Sequence, residues 1–296
     1  MEKVGIVVVT YNRLELLKEV IKAIRNQTYQ NRQIIVVNNG SSDGTSVYLS
    51  EQSDIITITQ ENLGGAGGFH TGLKYVAENE FNYCWLMDDD VICQQDALAN
   101  LIHAIQAKPG IGYVCSKVVG IDGCPMNTPT VDDRPTSNGY ADYCDMASEQ
   151  MIKVKMSTFV SVLISTAIIK EVGLPYKDFF IWGDDTEYTS RISAQHPCYM
   201  ACRSVVLHKR SLQRNLDFME EQDEKRLRNY FYYFRNNLFI LREKYGEKSF
   251  RKACRSKQLF AIRRYLRGDK VHASVLWKAV RAARAFHPQV QFPSVR

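Results

Sequence analysis

Residues 83–91 read YCWLMDDDV. An apolar and aromatic run, the pattern of a buried strand, stops at three adjacent carboxylates, Asp88, Asp89 and Asp90. In an open α/β sheet, ligands bind at the carboxyl ends of the strands. Carboxylates crowded there repel one another, so something must compensate them. One reading is a solvated acidic turn. The other is a divalent cation: hard oxygen ligands suit Mg²⁺ or Mn²⁺, and such an ion commonly also holds phosphate oxygens.

The flanking sequence supports a sheet. Residues 4–9 are rich in β-branched side chains, as in a buried parallel strand. LELLKEVIKAIRNQ then places Leu16, Leu17, Val20, Ile21 and Ile24 at helical spacing. QIIVVNN predicts a second strand, followed by the turn-rich GSSDGT, and residues 55–59 a third. NLGGAGG reads as a glycine-rich turn, FHTGLKYVAEN as a helix and YCWLM as the fourth strand. Strands alternating with helices predict βαβ units and a parallel sheet. Further on, the pattern predicts a helix over 94–107, a strand near 112–119, a long loop over 120–150 and a strand near 158–164. From about Leu216 the chain reads as helical.

The chain has 296 residues and a net charge of +6. The charge is uneven. Residues 248–284 carry twelve Lys/Arg against Asp269 alone, while residues 1–247 are net acidic. A basic tail on an acidic body suits an anionic surface, lipid or nucleic acid. No apolar run is long enough for a transmembrane helix, and the start GIVVVTY does not read as a secretion signal. The eight cysteines are scattered without a CxxC pair and read as reduced thiols of a cytosolic protein.

Two further constellations carry chemistry. WGDDTEY puts Asp184, Asp185 and Glu187 in the first turn of a helix. Acids there offset the helix dipole, which accounts for one or two of them. Three after a Trp-Gly approach also suit a carboxylate acting as general base toward a hydroxyl. His208 ends the strand-like SVVL and precedes Lys209 and Arg210. Imidazole is a competent Mn²⁺ ligand, and the flanking bases suit phosphate. The segment NLGGAGGF lacks the GK[ST] of a P-loop and follows the third strand rather than the first, against a dinucleotide fingerprint.

Taken together, VVVTYNR, IIVVNNGSSDGT, NLGGAGGF, LMDDD and WGDDTEY, in that order, resemble an inverting family-2 glycosyltransferase of the GT-A type over roughly residues 3–210. The resemblance implies an α/β fold: a Rossmann-like, mostly parallel sheet flanked by helices, with a helical basic extension. It implies a catalytic domain over 1–215 and a helical region over 216–296. Thr10, Tyr11, Asn12, Asn38, Asn62 and Gly65 would line the nucleotide-sugar donor together with Asp88 and Asp89. Asn38 stands where the family usually has an Asp, which leaves the base open. Asp88, Asp90 and His208 would hold Mn²⁺ or Mg²⁺. Asp185 matches the catalytic base, with Asp184 and Glu187 ordering the acceptor and Trp182 beside it.

With the later YYFRNN, the combination most resembles bacterial galactofuranosyltransferases, which use UDP-galactofuranose; rhamnosyltransferases using dTDP-rhamnose share much of it. The implied acceptor is a glycan or glycolipid. The implied placement is cytoplasmic, peripheral on the inner face of the plasma membrane through the basic tail. A nucleic-acid-binding module is disfavoured by the acidic body and the lack of a recognisable motif. A non-catalytic sugar-binding paralogue would be expected to lose the carboxylates. A nucleotidylyltransferase would show a basic, glycine-rich signature after the first strand, where TYNRLELL stands.

Overall fold

The computed structural model describes residues 2–210 and 217–294, so the expected boundary between 215 and 216 lies outside the described residues. The chain divides into two units. The first comprises Met1–Lys177, Asp185–Gln213 and Val290–Arg296; the second comprises Asp178–Asp184 and Arg214–Gln289.

The first unit is an α/β sheet. β1 (Val4–Thr10), β2 (Arg32–Asn38), β3 (Ile55–Thr59) and β4 (Tyr83–Asp88) pair in parallel in the order β3-β2-β1-β4. The sheet continues through β9 (Val162–Ser165), β6 (Tyr113–Val119), β10 (Tyr199–His208), β8 (Met151–Met156) and β7 (Thr130–Val131). β9 is antiparallel to both neighbours, and β10 is parallel to β6. A three-strand-residue piece, β5 (Val91–Cys93), turns back from the aspartates and pairs antiparallel with the end of β10. Seven of the ten strands therefore run the same way.

Side chains alternate across a strand, so a central strand buried on both faces needs apolar residues at every position. β1 obeys this. Val4, Ile6 and Val8 join a core with α1 (Leu14–Arg25) and α4 (Ala97–Gln106). Val7 and Val9 join a second core with α3 (Gly64–Glu78), α5 (Thr166–Val172) and α6 (Asp184–Ser193). Helices thus cover both faces of the sheet.

The glycine-rich segment departs from expectation. It is not a turn but the first two turns of α3; only Gly64 keeps a positive φ, 72°. The reason is proximity. A Cβ on Gly68 would come 2.3 Å from Val9 Cγ1, and one on Gly72 would come 2.2 Å from Val7 Cγ1. These two positions, four apart, form a bare stripe that lets the helix lie against β1. The strands β5 and β8 were also not expected from the sequence, and α4 is shorter than predicted.

The second unit is helical: α7 (Glu224–Leu266), broken at Gly246 (φ 78°), and α8 (Lys270–Arg284). Tyr230, Phe234, Ala261, Leu276 and Ala279 form its core beside a smaller cluster around Leu238 and Phe250. The segment 178–184 belongs to this unit and is strained: Phe180 and Trp182 have φ of 64° and 62°. Bulky side chains cost about 1–3 kcal/mol each in that region. Asn236, fully buried, holds the strain in place. Its amide nitrogen reaches the carbonyls of Phe179 (3.0 Å), Ile181 (3.2 Å) and Trp182 (2.8 Å). Its oxygen accepts from Arg235, whose guanidinium also donates to Asp178 O and stacks 3.8 Å from the Phe286 ring.

Three outcomes follow for urea unfolding. Gly72→Ala lowers stability by about 1–3 kcal/mol through overpacking against Val7, despite the better helix propensity of Ala. Gly65→Ala, where an added Cβ meets nothing within 4 Å, is neutral or stabilising by up to about 1 kcal/mol. Asn236→Leu takes the amide donor away from the carbonyls of Ile181 and Trp182 and costs about 2–3 kcal/mol.

Candidate functional site

The order β3-β2-β1-β4 reverses direction of growth between β1 and β4. Such a switch point opens a crevice at the carboxyl ends of the two strands. Thr10 ends β1 and Asp88 ends β4, in neighbouring register. Pairing of β5 with β10 sets His208 opposite Val91, and so beside Asp90.

The three carboxylates have different fates. Asp89 is buried, with Oδ2 accepting from Thr10 Oγ1 at 2.8 Å and Oδ1 accepting from Arg13 at 3.1 Å. Arg13 also donates to Asp90 Oδ2 at 2.9 Å. The other oxygen of Asp90 lies 3.1 Å from His208 Nε2 and has no hydrogen-bond partner although buried. Donor atoms of Asp88, Asp90 and His208 lie within 4.8 Å of one another, the one such metal-competent group among the described residues. Burial and the neighbouring charge of Asp90 push the Asp88 carboxyl well above the usual range. Burial acts on Asp90 too, but the groups around it, the Arg13 guanidinium among them, outweigh it and pull Asp90 below. Burial raises Asp89 against the pull of Arg13 and the Thr10 hydroxyl.

A cation fits this cluster. With all three acids ionised, one guanidinium leaves two negative charges over, the complement of a divalent ion. The orphaned Asp90 Oδ1 is a buried acceptor without a donor, and the donor set of two carboxylates and an imidazole suits Mn²⁺ or Mg²⁺. Asp89 is not part of that set, since both its oxygens are engaged by Thr10 and Arg13. Sequence reasoning did not assign Arg13; the only hint was a lone base in VVVTYNR, close to strand β1.

The other expected donor-site residues shape the loops around the ends of β1 and β2. Asn12, at φ 53°, accepts from Ser42 N–H at 2.7 Å and donates its own N–H to Ser41 Oγ. Asn38 is fully buried: Oδ1 accepts from Ser41 N–H and Nδ2 donates to Ser46 Oγ. Asn62 accepts from Gly64 N–H and so starts α3. Tyr11 is exposed, and the open side of Gly65 is in the first turn of α3. Thr10 is buried and spent on Asp89.

Asp185 sits in the first turn of α6. That turn is anchored by Thr189, whose buried hydroxyl is shared between the carbonyls of Asp185 (2.7 Å) and Ser157 (3.0 Å). Glu187 is tied up instead: Arg191 holds both its oxygens at 2.9 and 2.7 Å and also donates to Val172 O. In the helical unit, Asp184 is buried, and Trp182 stands edge-on to Tyr230 and Tyr233 at 5.2 and 6.3 Å. A second missed contact is Asn127, whose Oδ1 lies 2.9 Å from His208 Nδ1.

Comparison with known proteins agrees with this architecture. The chain is 28% identical over 200 residues to "Galactofuranosyltransferase GlfT1" of Mycobacterium tuberculosis (strain ATCC 25618 / H37Rv), covering 64% of each chain. It therefore spans just under two thirds of that relative's length. Among solved structures, GalNAc-T7 with UDP, GalNAc and Mn²⁺ superimposes with a TM-score of 0.61 at 13% identity, covering 81% of this chain and 48% of that one. Staphylococcus aureus TarS 1-349 in complex with UDP-GlcNAc gives 0.58 at 12% identity, covering 81% and 66%. These two likenesses support the GT-A fold. The sequence model of the family described as "Glycosyl transferase family 2" matches residues 5–156, just over half the chain, and the protein belongs to that family.

Proposed function

We propose that the protein is an inverting, metal-dependent glycosyltransferase that moves galactofuranose from UDP-galactofuranose to a hydroxyl of a lipid-linked cell-surface glycan. The observation that carries the reaction class is the Asp88–Asp90–His208 cluster at the switch point, with its unpartnered Asp90 oxygen. The similarity to GlfT1 supports the sugar. Residues 1–215 carry the chemistry in this reading.

Asp88, Asp90 and His208 would hold Mn²⁺ or Mg²⁺. Such an ion supplies positive charge against the charge that develops on a departing diphosphate. Arg13 keeps Asp90 aimed and Asp89 neutralised, and the Asn12 and Asn38 turns shape the nucleoside side. Asp185 takes the proton of the acceptor hydroxyl. That oxygen bonds to the anomeric carbon as the bond from that carbon to the diphosphate breaks, and the electron pair leaves with the diphosphate. A single displacement inverts configuration and needs no covalent sugar–enzyme species. Asp184 and Trp182 are assigned to the acceptor. Glu187, bound to Arg191, acts through the shape of α6 rather than by touching the sugar.

The helical region 216–296 is assigned to a membrane surface. No helix among the described residues is long and apolar enough to cross a membrane. Leu259, Phe260, Ile262, Leu266, Val271 and Trp277 are all exposed. Arg263, Arg267, Lys270 and Lys278 lie among them in sequence. Apolar side chains interleaved with cations suit the interface of an anionic bilayer, and the inner face of the plasma membrane is the matching surface.

Two experiments test these assignments. With Mn²⁺ and a lipid-linked glycan acceptor, UDP release is expected from UDP-galactofuranose and not from UDP-glucose. It is expected to stop with EDTA and to fall by about 10²–10⁴-fold in Asp185→Asn and in Asp90→Ala. Release from dTDP-rhamnose instead would keep the mechanism and change the sugar. In flotation assays, vesicles with anionic lipid are expected to carry the protein at low salt, less so at high salt and less for Leu266→Glu. Equal recovery with neutral and anionic vesicles would sink the membrane assignment.

A further inference from the structure

The segment after β6 is folded back hard on its own strand. Gly120 N–H donates to Cys124 O at 2.8 Å, Gly123 N–H to Gly120 O at 3.0 Å, and Met126 N–H to Val118 O at 3.1 Å. Val119 and Pro125 form an antiparallel bridge. β6 in turn runs parallel to β10, with Val118 paired to Val206 and Val119 to Leu207. The next residue of β10 is His208. The returning hairpin therefore delivers Asn127 to the imidazole, with its Oδ1 2.9 Å from Nδ1. Asn127 has φ 47°, a left-handed conformation in which Asn is among the few side chains at ease.

An amide oxygen only accepts, so Nδ1 must carry the proton. The lone pair of the neutral ring is then on Nε2, the nitrogen that faces Asp90 Oδ1 at 3.1 Å. Two acceptors meet there, and Asp90 Oδ1 has no donor. We infer that Asn127 is a positioning residue that locks His208 in the Nδ1–H tautomer and so presets Nε2 and Asp90 Oδ1 to share a divalent cation. The inference rests on the metal reading above. It assigns a role inside the 120–150 segment. A partner on the second ring nitrogen fixes the ring's orientation and raises its basicity toward the metal, and losing one typically weakens binding 10–100-fold.

The test uses the full chain and MnCl₂ alone. Asn127→Gly removes the acceptor while tolerating the positive φ, and Asn127→Asp replaces the amide oxygen with a carboxylate. Mn²⁺ affinity, read by the free-ion electron spin resonance signal, is expected to fall about 10–100-fold in Asn127→Gly and to be kept or improved in Asn127→Asp. Long-range ¹H–¹⁵N spectra of metal-free, histidine-labelled protein are expected to show His208 as Nδ1–H in the wild type and as a shifted tautomer mixture in Asn127→Gly, at unchanged melting temperature. His208→Gln assigns the signal. Wild-type Mn²⁺ affinity in Asn127→Gly, or a wild-type His208 protonated at Nε2, overturns the inference alone. A wild type that shows the Nδ1–H tautomer but binds no Mn²⁺ overturns the metal reading, and the inference with it.

Discussion

Everything at the site answers to one electrostatic constraint: three consecutive carboxylates at the buried end of a central strand. Left alone, they would cost several kcal/mol in desolvation and mutual repulsion. The fold offsets part of this. Arg13 bridges Asp89 and Asp90, and the Thr10 hydroxyl takes the second oxygen of Asp89. The remainder is left over at Asp88 and Asp90, which is why burial drives Asp88 up in pKa rather than being cancelled. A protein optimised for stability alone would close this gap with another base. Keeping it open makes the site a receptor for positive charge.

The topology is arranged around that gap. A strand carrying the aspartates must end at the switch point to meet a ligand, and β4 does. The chain must then bring an imidazole nitrogen to the same place from far away. It does so with β5, three residues that reverse direction at Asp90 and hydrogen-bond to the last residues of β10. The register of that short pairing sets the distance between Asp90 and His208. A one-residue slip would turn His208 to the other face, so β5 is short but its pairing is a precision feature of the site.

Much of this was legible in the sequence, and the rest fails for identifiable reasons. The β1–β4 pattern, α1 and the placing of Asp88–Asp90 came from local periodicity, which a parallel sheet buried on both faces expresses directly. The glycine run misled because glycine's intrinsic preference is for turns, while here a helix needed bare positions at Gly68 and Gly72 to approach β1. The ion pair of Glu187 with Arg191, four residues on, was open to reading from its spacing and was passed over. The contacts of Arg13 with Asp89 and of Asn127 with His208 join residues 76 and 81 apart, and no window of sequence carries such a signal. The strand β8 follows an irregular loop and pairs antiparallel with β10, so neither neighbour announces it.

The motif YYFRNN acquires a physical meaning of its own inside the helical unit. Residues 179–182 bend through two aromatic residues at positive φ, a conformation that would relax without a restraint. The restraint must share two protons among the carbonyls of Phe179, Ile181 and Trp182 and, at the same time, accept from Arg235. A carboxamide can do both; a carboxylate cannot donate, and a hydroxyl has one proton. Arg235 is held in its turn by the Phe286 ring and by Asp178 O, so the acceptor side of Asn236 is as fixed as the donor side. The chain that leaves this clamp runs through Gly183 into Asp184 and Asp185, the start of α6. The identity of Asn236 therefore follows from the strain it holds, in the same way that the identity of Asn127 follows from a left-handed backbone and a ring nitrogen that needs an acceptor.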